Sequence, residues 1–198
     1  MSYLRTTLAV TGILATTLAL AGCSSSQPMG GMGGMAGDSS SSASAGDFNT
    51  KDVTFTQMMI PHHEQAVMMS DVILAKKGID SRVIELATNI KSAQGPEIKT
   101  MKSWLKAWGA SDGGMAGMDH GNSGMMSDSE MTGLDSATGT DAARLFLTGM
   151  TAHHEGAIVM AETEVTGGKN ADAISLAKEI IAAQTSEITA MKEILVSL

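Results

Sequence analysis

The chain has 198 residues, 17 of them Met, against one Tyr, two Trp and three Phe. So few aromatics exclude an ordinary β-sandwich or barrel, whose strands are filled by β-branched and aromatic side chains. A formal charge of −8 excludes sequence-independent nucleic-acid binding, which needs a basic face, and the single Cys excludes an intrachain disulfide or a Cys-based zinc finger.

Residues 1–22 read as an export signal. Arg5 precedes an uncharged run from Leu8 to Leu20, too short for a spanning helix of about 20 apolar residues but suited to a secretory signal. The run ends in Leu20-Ala21-Gly22-Cys23, which resembles the bacterial lipoprotein signal, and the only Cys of the chain sits where that signal is acylated. The expectation is a mature chain that starts at Cys23 and is lipid-anchored to the cell membrane on its extracytoplasmic side. Residues 23–46 are almost wholly Ser, Gly, Ala and Met without apolar periodicity, so they read as a flexible tether. Within the tether, Met29, Met32 and Met35 form a spaced thioether array.

Residues 47–198 are organised by an internal repeat. Phe55–Asp71 (FTQMMIPHHEQAVMMSD) lies over Phe146–Glu162 (FLTGMTAHHEGAIVMAE) at a constant offset of 91. Phe55, Met59, His62, His63, Glu64 and Met69 thereby match Phe146, Met150, His153, His154, Glu155 and Met160. Further on, Ala93–Leu105 (AQGPEIKTMKSWL) matches Ala183–Leu195 (AQTSEITAMKEIL) at an offset of 90, one residue having been lost in the connecting loop. Repeat one spans 50–108 and repeat two 140–198, and the Met- and Gly-rich stretch 109–139 reads as the linker between them.

Each repeat reads as a helical hairpin. Phe55, Met59, His62, Ala66, Met69 and Ile73 recur at the three- and four-residue steps of a helix-core stripe. Val83, Ala87, Ile90, Gln94, Glu97, Met101 and Trp104 do the same in the second helix. Gly78 with Asp80-Ser81, and Gly167-Gly168 with Asn170, supply the stop and start signals. Neither hairpin can cover its own stripe, so the two should pack as an antiparallel, all-α four-helix bundle.

The stripes contain groups that a core should not hold. His62, Gln94 and Glu97, and their counterparts His153, Gln184 and Glu187, all fall at core positions. A buried carboxylate or imidazole costs several kcal/mol (order of magnitude) unless it is paired or binds something. One reading is a His–Glu–Gln hydrogen-bond network that fixes helix register. The other is a metal site built from facing helices. Thioethers accompany the imidazoles at helical spacing: Met59 lies one turn before His63, Met69 two turns after His62, and Met101 one turn after Glu97. Met150, Met160 and Met191 repeat these pairings in the second copy. Imidazole with thioether is a copper-type set, favouring Cu(I) and less suited to Zn or Fe. His63 and His154 lie about 100° round the helix from the stripe, as flanking ligands or as groups that support the ligands or face solvent. Pro61 and Gln65 are replaced by Ala152 and Gly156, so the two copies need not be equivalent.

These doubled motifs, MMIPHHEQAVMM with GMTAHHEGAIVMAE and AQGPEIKTM with AQTSEITAM, resemble the bacterial family known as domain of unknown function 305. The resemblance covers about Asp47 to Leu198 and implies a ferritin-like four-helix bundle. Some family members are similar to secreted copper-binding proteins associated with copper resistance, and what carries over is the His pairs with Met59, Met69, Met150 and Met160. In the linker, Met115, Met118, His120, Met125 and Met126 resemble the methionine motifs of periplasmic copper carriers. Thioethers are neutral, so they remain ligands at acidic pH.

The leading expectation is therefore a copper-binding lipoprotein that sequesters or hands on Cu(I), with Cu(II) or Ag(I) as further ions. Its partners would be the metal ion, the membrane through the lipid anchor, and a copper-handling protein or a second copy, with no nucleic acid. A ferritin-like metal-dependent oxidoreductase using His62, Glu97, His153 and Glu187 is an alternative, but the chain has no Glu-x-x-His motif. A metal-free envelope interaction module is the third reading. No G-x-S-x-G or H-E-x-x-H pattern supports hydrolase chemistry.

Overall fold

The computed structural model describes residues 46–112 and 124–198. The signal segment, Cys23, the tether Met29, Met32 and Met35, and the linker residues Met115, Met118 and His120 lie outside the described residues. The helices are α1 (Thr50–Leu74), α2 (Ser81–Ala107), α3 (Asp128–Ser136), α4 (Gly139–Gly167) and α5 (Ala171–Ser197). The four long ones are the helices expected from the repeat. The short α3 was read as linker. It forms because Ser127 and Glu130 make a capping box and Leu134 is wholly buried against α1 and α4.

Side-chain caps start the helices where the sequence places them. Asn49 accepts from the amides of Lys51 and Asp52, Asp80 from Arg82, and Asn170 from Ala173. Pro61 and Pro96 sit inside α1 and α2, which run through them without a break. Short turns make α1/α2 and α4/α5 antiparallel hairpins. Asn49 bonds the carbonyl of Gly167, so α1 starts where α4 ends, and Arg82 bonds Ser197, so α2 starts where α5 ends. The result is an antiparallel bundle in which α1 packs closely on both α2 and α4, while α2 and α5 meet only sparsely.

Two apolar clusters fill it. One holds Phe55, Met59, Ile60, Met101, Leu105, Ala157, Ala161, Ala177 and Ile180. The other holds Met69, Ile73, Val83, Ile90, Phe146, Met150, Ile188 and Met191, with Leu134 of α3. Along every long helix, the residues between these clusters are polar and buried: His62 and His63, Gln94, His153 and His154, and Gln184. The core is therefore two apolar halves separated by a polar layer.

Two features have a single copy. The first is the segment Gly124–Met126, which lies against α4. Gly124 has φ +68°, and a Cβ there would fall 2.0 Å from the carbonyl oxygen of Ala152. Gln65 on α1 holds the segment through its whole amide, donating to the Met126 carbonyl and accepting from its N–H, each at 2.8 Å. Met126 is thus buried in the core, and its sulfur lies where a Cβ on Gly149 would come within 2.9 Å. The departures Gln65/Gly156 and Met58/Gly149 between the repeats are both accounted for by this docking.

The second is an acidic corner where α1 starts, α4 ends and α5 begins. The Asp52 carboxylate accepts from the backbone N–H of Asn49, Lys169 and Asn170, tying two helix starts together. Burial works against its charge, but these amides prevail and hold its pKa below the usual 3.8. Beside it Glu164 is 1% exposed, with neither oxygen receiving a hydrogen bond. Burial first, and then the Asp52 carboxylate, push Glu164 up to about 8. At neutral pH Glu164 therefore keeps a proton, which it can donate to Asp52. The same places in the other repeat are Ala143 and Ile73, both apolar and buried.

Candidate metal centre

The polar layer is built where α1 and α4 cross. His62 and His153 meet face to face, with ring centroids 3.7 Å apart and planes tilted by 35°. His63 and His154 flank them, each ring centroid 6.4 Å from that of its neighbour in the chain. All four rings are buried. His63 and His154, one of whose readings was exposed, are fully inside because α1 and α4 are each covered on two sides. Two adjacent residues, about 100° apart, then both point inward.

Each flanking imidazole is held by a carboxylate from its own hairpin. His63 Nε2 is 2.8 Å from Glu97 Oε2, and His154 Nε2 is 2.7 Å from Glu187 Oε2. Glu97 and Glu187 are thus at the layer's edge rather than in the core, with side chains 24% and 21% exposed. Glu97 also lines a groove of about 380 Å³ between α2 and α5, with Pro96, Trp104, Asp172 and Glu179. One side of the layer therefore opens towards solvent through its carboxylate.

The layer carries unspent hydrogen-bonding capacity. Nδ1 of His63 and of His154, both nitrogens of His153, and the Oε1 atoms of Gln94 and Gln184 are buried without a hydrogen-bond partner. Buried polar atoms are nearly always partnered, so these atoms leave the layer with donors and acceptors it can offer to a bound group. Burial, and then the neighbouring imidazoles of His62, His154 and His63, hold the pKa of His153 well below the usual 6.5. It stays neutral with its lone pair available to a Lewis acid.

Thioethers close the layer from both sides. Met59 and Met101 belong to one apolar cluster, with Met160 partly buried against it; Met69, Met150 and Met191 belong to the other. Thr151 donates to the Met191 sulfur at 3.7 Å. Met126 joins the second cluster from the linker, with Met131 of α3 packed against the same cluster, whereas Met125 is only half-buried. Among the described residues, no three His, Cys, Asp or Glu side chains converge within range of one ion.

Sequence reading missed the Gln65–Met126 docking and the Asp52–Glu164 pair. The signal lay in the repeat itself: Gly149, Gly156 and Glu164 stand where the first copy has Met58, Gln65 and Ile73.

Comparison with known proteins places these features. The chain is similar to a DUF305 protein of Streptomyces coelicolor, 33% identical over 74% of this chain and 91% of that one, with a TM-score of 0.67. A DUF305 fragment from Deinococcus radiodurans is 28% identical over 76% and 98%, with a TM-score of 0.69. CopM in its Cu(II)-bound form is 33% identical over 74% and 96%, with a TM-score of 0.65, and CopM is also solved in Cu(I)- and Ag-bound forms. No match was found among curated proteins. The family described as Domain of unknown function (DUF305) matches residues 52–195, nearly the whole bundle. The chain belongs to the DUF305 family.

Proposed function

We propose that this protein is an extracytoplasmic, lipid-anchored copper-binding protein that sequesters Cu(I) or hands it on. The observation that carries the reading is the buried imidazole layer, in which Nδ1 of His63 and of His154 has no hydrogen-bond partner, lying between two clusters of thioethers. Neutral imidazole and thioether are donors for a soft monovalent ion, and burial keeps competing water away. His62, His153, His63 and His154 would supply nitrogen, and Met59, Met69, Met101, Met150, Met160 and Met191 the sulfur. Met29, Met32, Met35, Met115, Met118, His120 and Met125 would act as weak capture ligands. CopM, solved with Cu(I), Cu(II) and Ag, supports this reading by relationship. Cys23 would carry the anchor, and no described helix is long and apolar enough to cross a membrane.

The test is metal content. The full chain, extracted from membranes of cells grown with added copper or zinc, should carry copper in preference to zinc. The reduced apoprotein should take up Cu(I) and Ag(I), and its unfolding transition should rise, because an ion that binds only the folded state stabilises it. Copper-free protein with an unchanged transition would overturn the proposal and favour a metal-free envelope module.

A further inference from the structure

Both repeats build the same three-part arrangement from different helices. A fully buried imidazole places Nε2 at 2.8 or 2.7 Å from a carboxylate oxygen, and its Nδ1 is buried without a partner. An ionised carboxylate can only accept a hydrogen bond, so the proton of the ring belongs on Nε2. Nδ1 then carries the lone pair, inside the layer. Histidine ligands commonly hold their second nitrogen against a carboxylate in this way, which fixes the tautomer and the direction of the ring.

Resting on the metal reading above, we propose that Glu97 and Glu187 are positioning residues rather than ligands, and that His63 and His154 bind the soft cation through Nδ1. The carboxylates stay at the rim, where their part-exposed side chains keep contact with water. Each fixes the direction of its imidazole by engaging Nε2, which leaves the buried Nδ1 as the nitrogen free to meet an ion. The doubled geometry argues against a chance ion pair. His63 pairs α1 with α2 and His154 pairs α4 with α5, at matching distances. Each hairpin therefore carries its own orienting device, while His62 and His153 join the two halves.

The experiment uses the full chain in detergent, with Ag(I) as the probe. Long-range proton–nitrogen spectra of the apoprotein should show His63 and His154 protonated at Nε2 and bare at Nδ1. Adding Ag(I) should shift Nδ1 of both rings and leave Nε2 protonated. Glu97→Leu with Glu187→Leu should lose the single tautomer and weaken Ag(I) binding by about 10–100-fold. Glu97→Gln with Glu187→Gln keeps an acceptor oxygen and should restore both. Shifts at Nε2, carboxylate oxygen in the silver or copper shell by X-ray absorption, or Leu variants that bind as wild type would each overturn the assignment. Should the Leu variants fail to fold, the wild-type nitrogen shifts decide alone. Wild-type protein that takes up no Ag(I) would instead overturn the metal reading, and this assignment with it.

Discussion

Glu164→Gln removes one titrating proton from the acidic corner while keeping the size of the side chain and a donor for Asp52. In the folded protein Glu164 is raised from 4.5 to about 8 by burial and by Asp52. Its folded value therefore lies above its unfolded value. The stability it contributes is complete below about pH 4.5 and is lost progressively as pH rises through about 8. Across that window each pH unit removes about 1.4 kcal/mol for a single proton, several kcal/mol in all. Domains of this size are stable by only about 5–15 kcal/mol. Asp52 works in the opposite window. Its folded pKa is lowered, so its contribution is present above the ordinary carboxylate value of 3.8 and is lost as pH falls below it.

The assay is denaturant unfolding of wild type and Glu164→Gln at half-unit steps from about pH 5 to pH 9. Most other groups titrate alike in the two proteins, so the difference curve isolates Glu164. It should fall by several kcal/mol relative to the variant and level off above about pH 8. Glu164→Ile, which copies Ile73 of the other repeat, should share the variant's flat profile. A difference curve flat to within about 0.5 kcal/mol, the usual error of additivity, would refute a protonated Glu164.

Met59→Leu conserves core volume and should cost less than about 1.5 kcal/mol, yet weaken Cu(I) or Ag(I) binding by at least about tenfold. Unchanged affinity in a metal titration would leave Met59 a packing residue only. Gln65→Ala deprives the Met126 backbone of both its bonds and should cost about 1–3 kcal/mol, with faster amide exchange at Met126. Gly124→Ala should release the same segment, because its Cβ would meet the Ala152 carbonyl; unaltered Met126 exchange in both variants would contradict the docking. Cys23→Ser should move the protein out of the detergent phase in a phase-partition assay, and retention there would count against the lipid anchor.

The fold was legible because the sequence states it twice. An apolar stripe at helical spacing, a turn with a capping residue, and a second copy at a constant offset leave little choice of architecture. His62, His153, Gln94 and Gln184 were also legible, as polar residues at stripe positions. Periodicity could not place His63 and His154, because it marks the centre of a buried face and not its width. That width depends on how many helices cover α1 and α4. Glu97 and Glu187 erred the other way, on the stripe by spacing but drawn to the rim by their own solvation. The docked Met126 was unreadable for another reason. A Gly- and Met-rich stretch has no period, and only the amide of Gln65 and the missing side chain of Gly149 give the segment a seat.

The pattern of likeness and difference between the repeats follows from geometry. A bundle built from two equivalent hairpins has an approximate twofold axis, and residues near the axis face their own counterparts. His62 facing His153 is such a contact, so a change in one copy alone would leave the other without its match. The flanking His63–Glu97 and His154–Glu187 pairs serve the same layer, and they too occur twice. The linker exists once. It leaves repeat one and enters repeat two, and a single strand cannot lie on both faces of a twofold object. Whichever face receives it needs an anchor on α1 and a gap on α4, and the other face needs neither. Gln65 and Gly149 meet the first requirement, while Met58 and Gly156 stand at the positions released from it. The acidic corner obeys the same logic at one end of the bundle. Asp52 ties the starts of α1 and α5 where Ala143 needs to tie nothing, and Glu164 fills a place that Ile73 fills with hydrocarbon. The departures at Met58, Gln65, Asp52 and Ile73 thus fall where one repeat has a segment or a corner to hold that the other lacks, whereas His62, His63, Gln94 and Glu97 keep their counterparts in the layer that we assign to the metal.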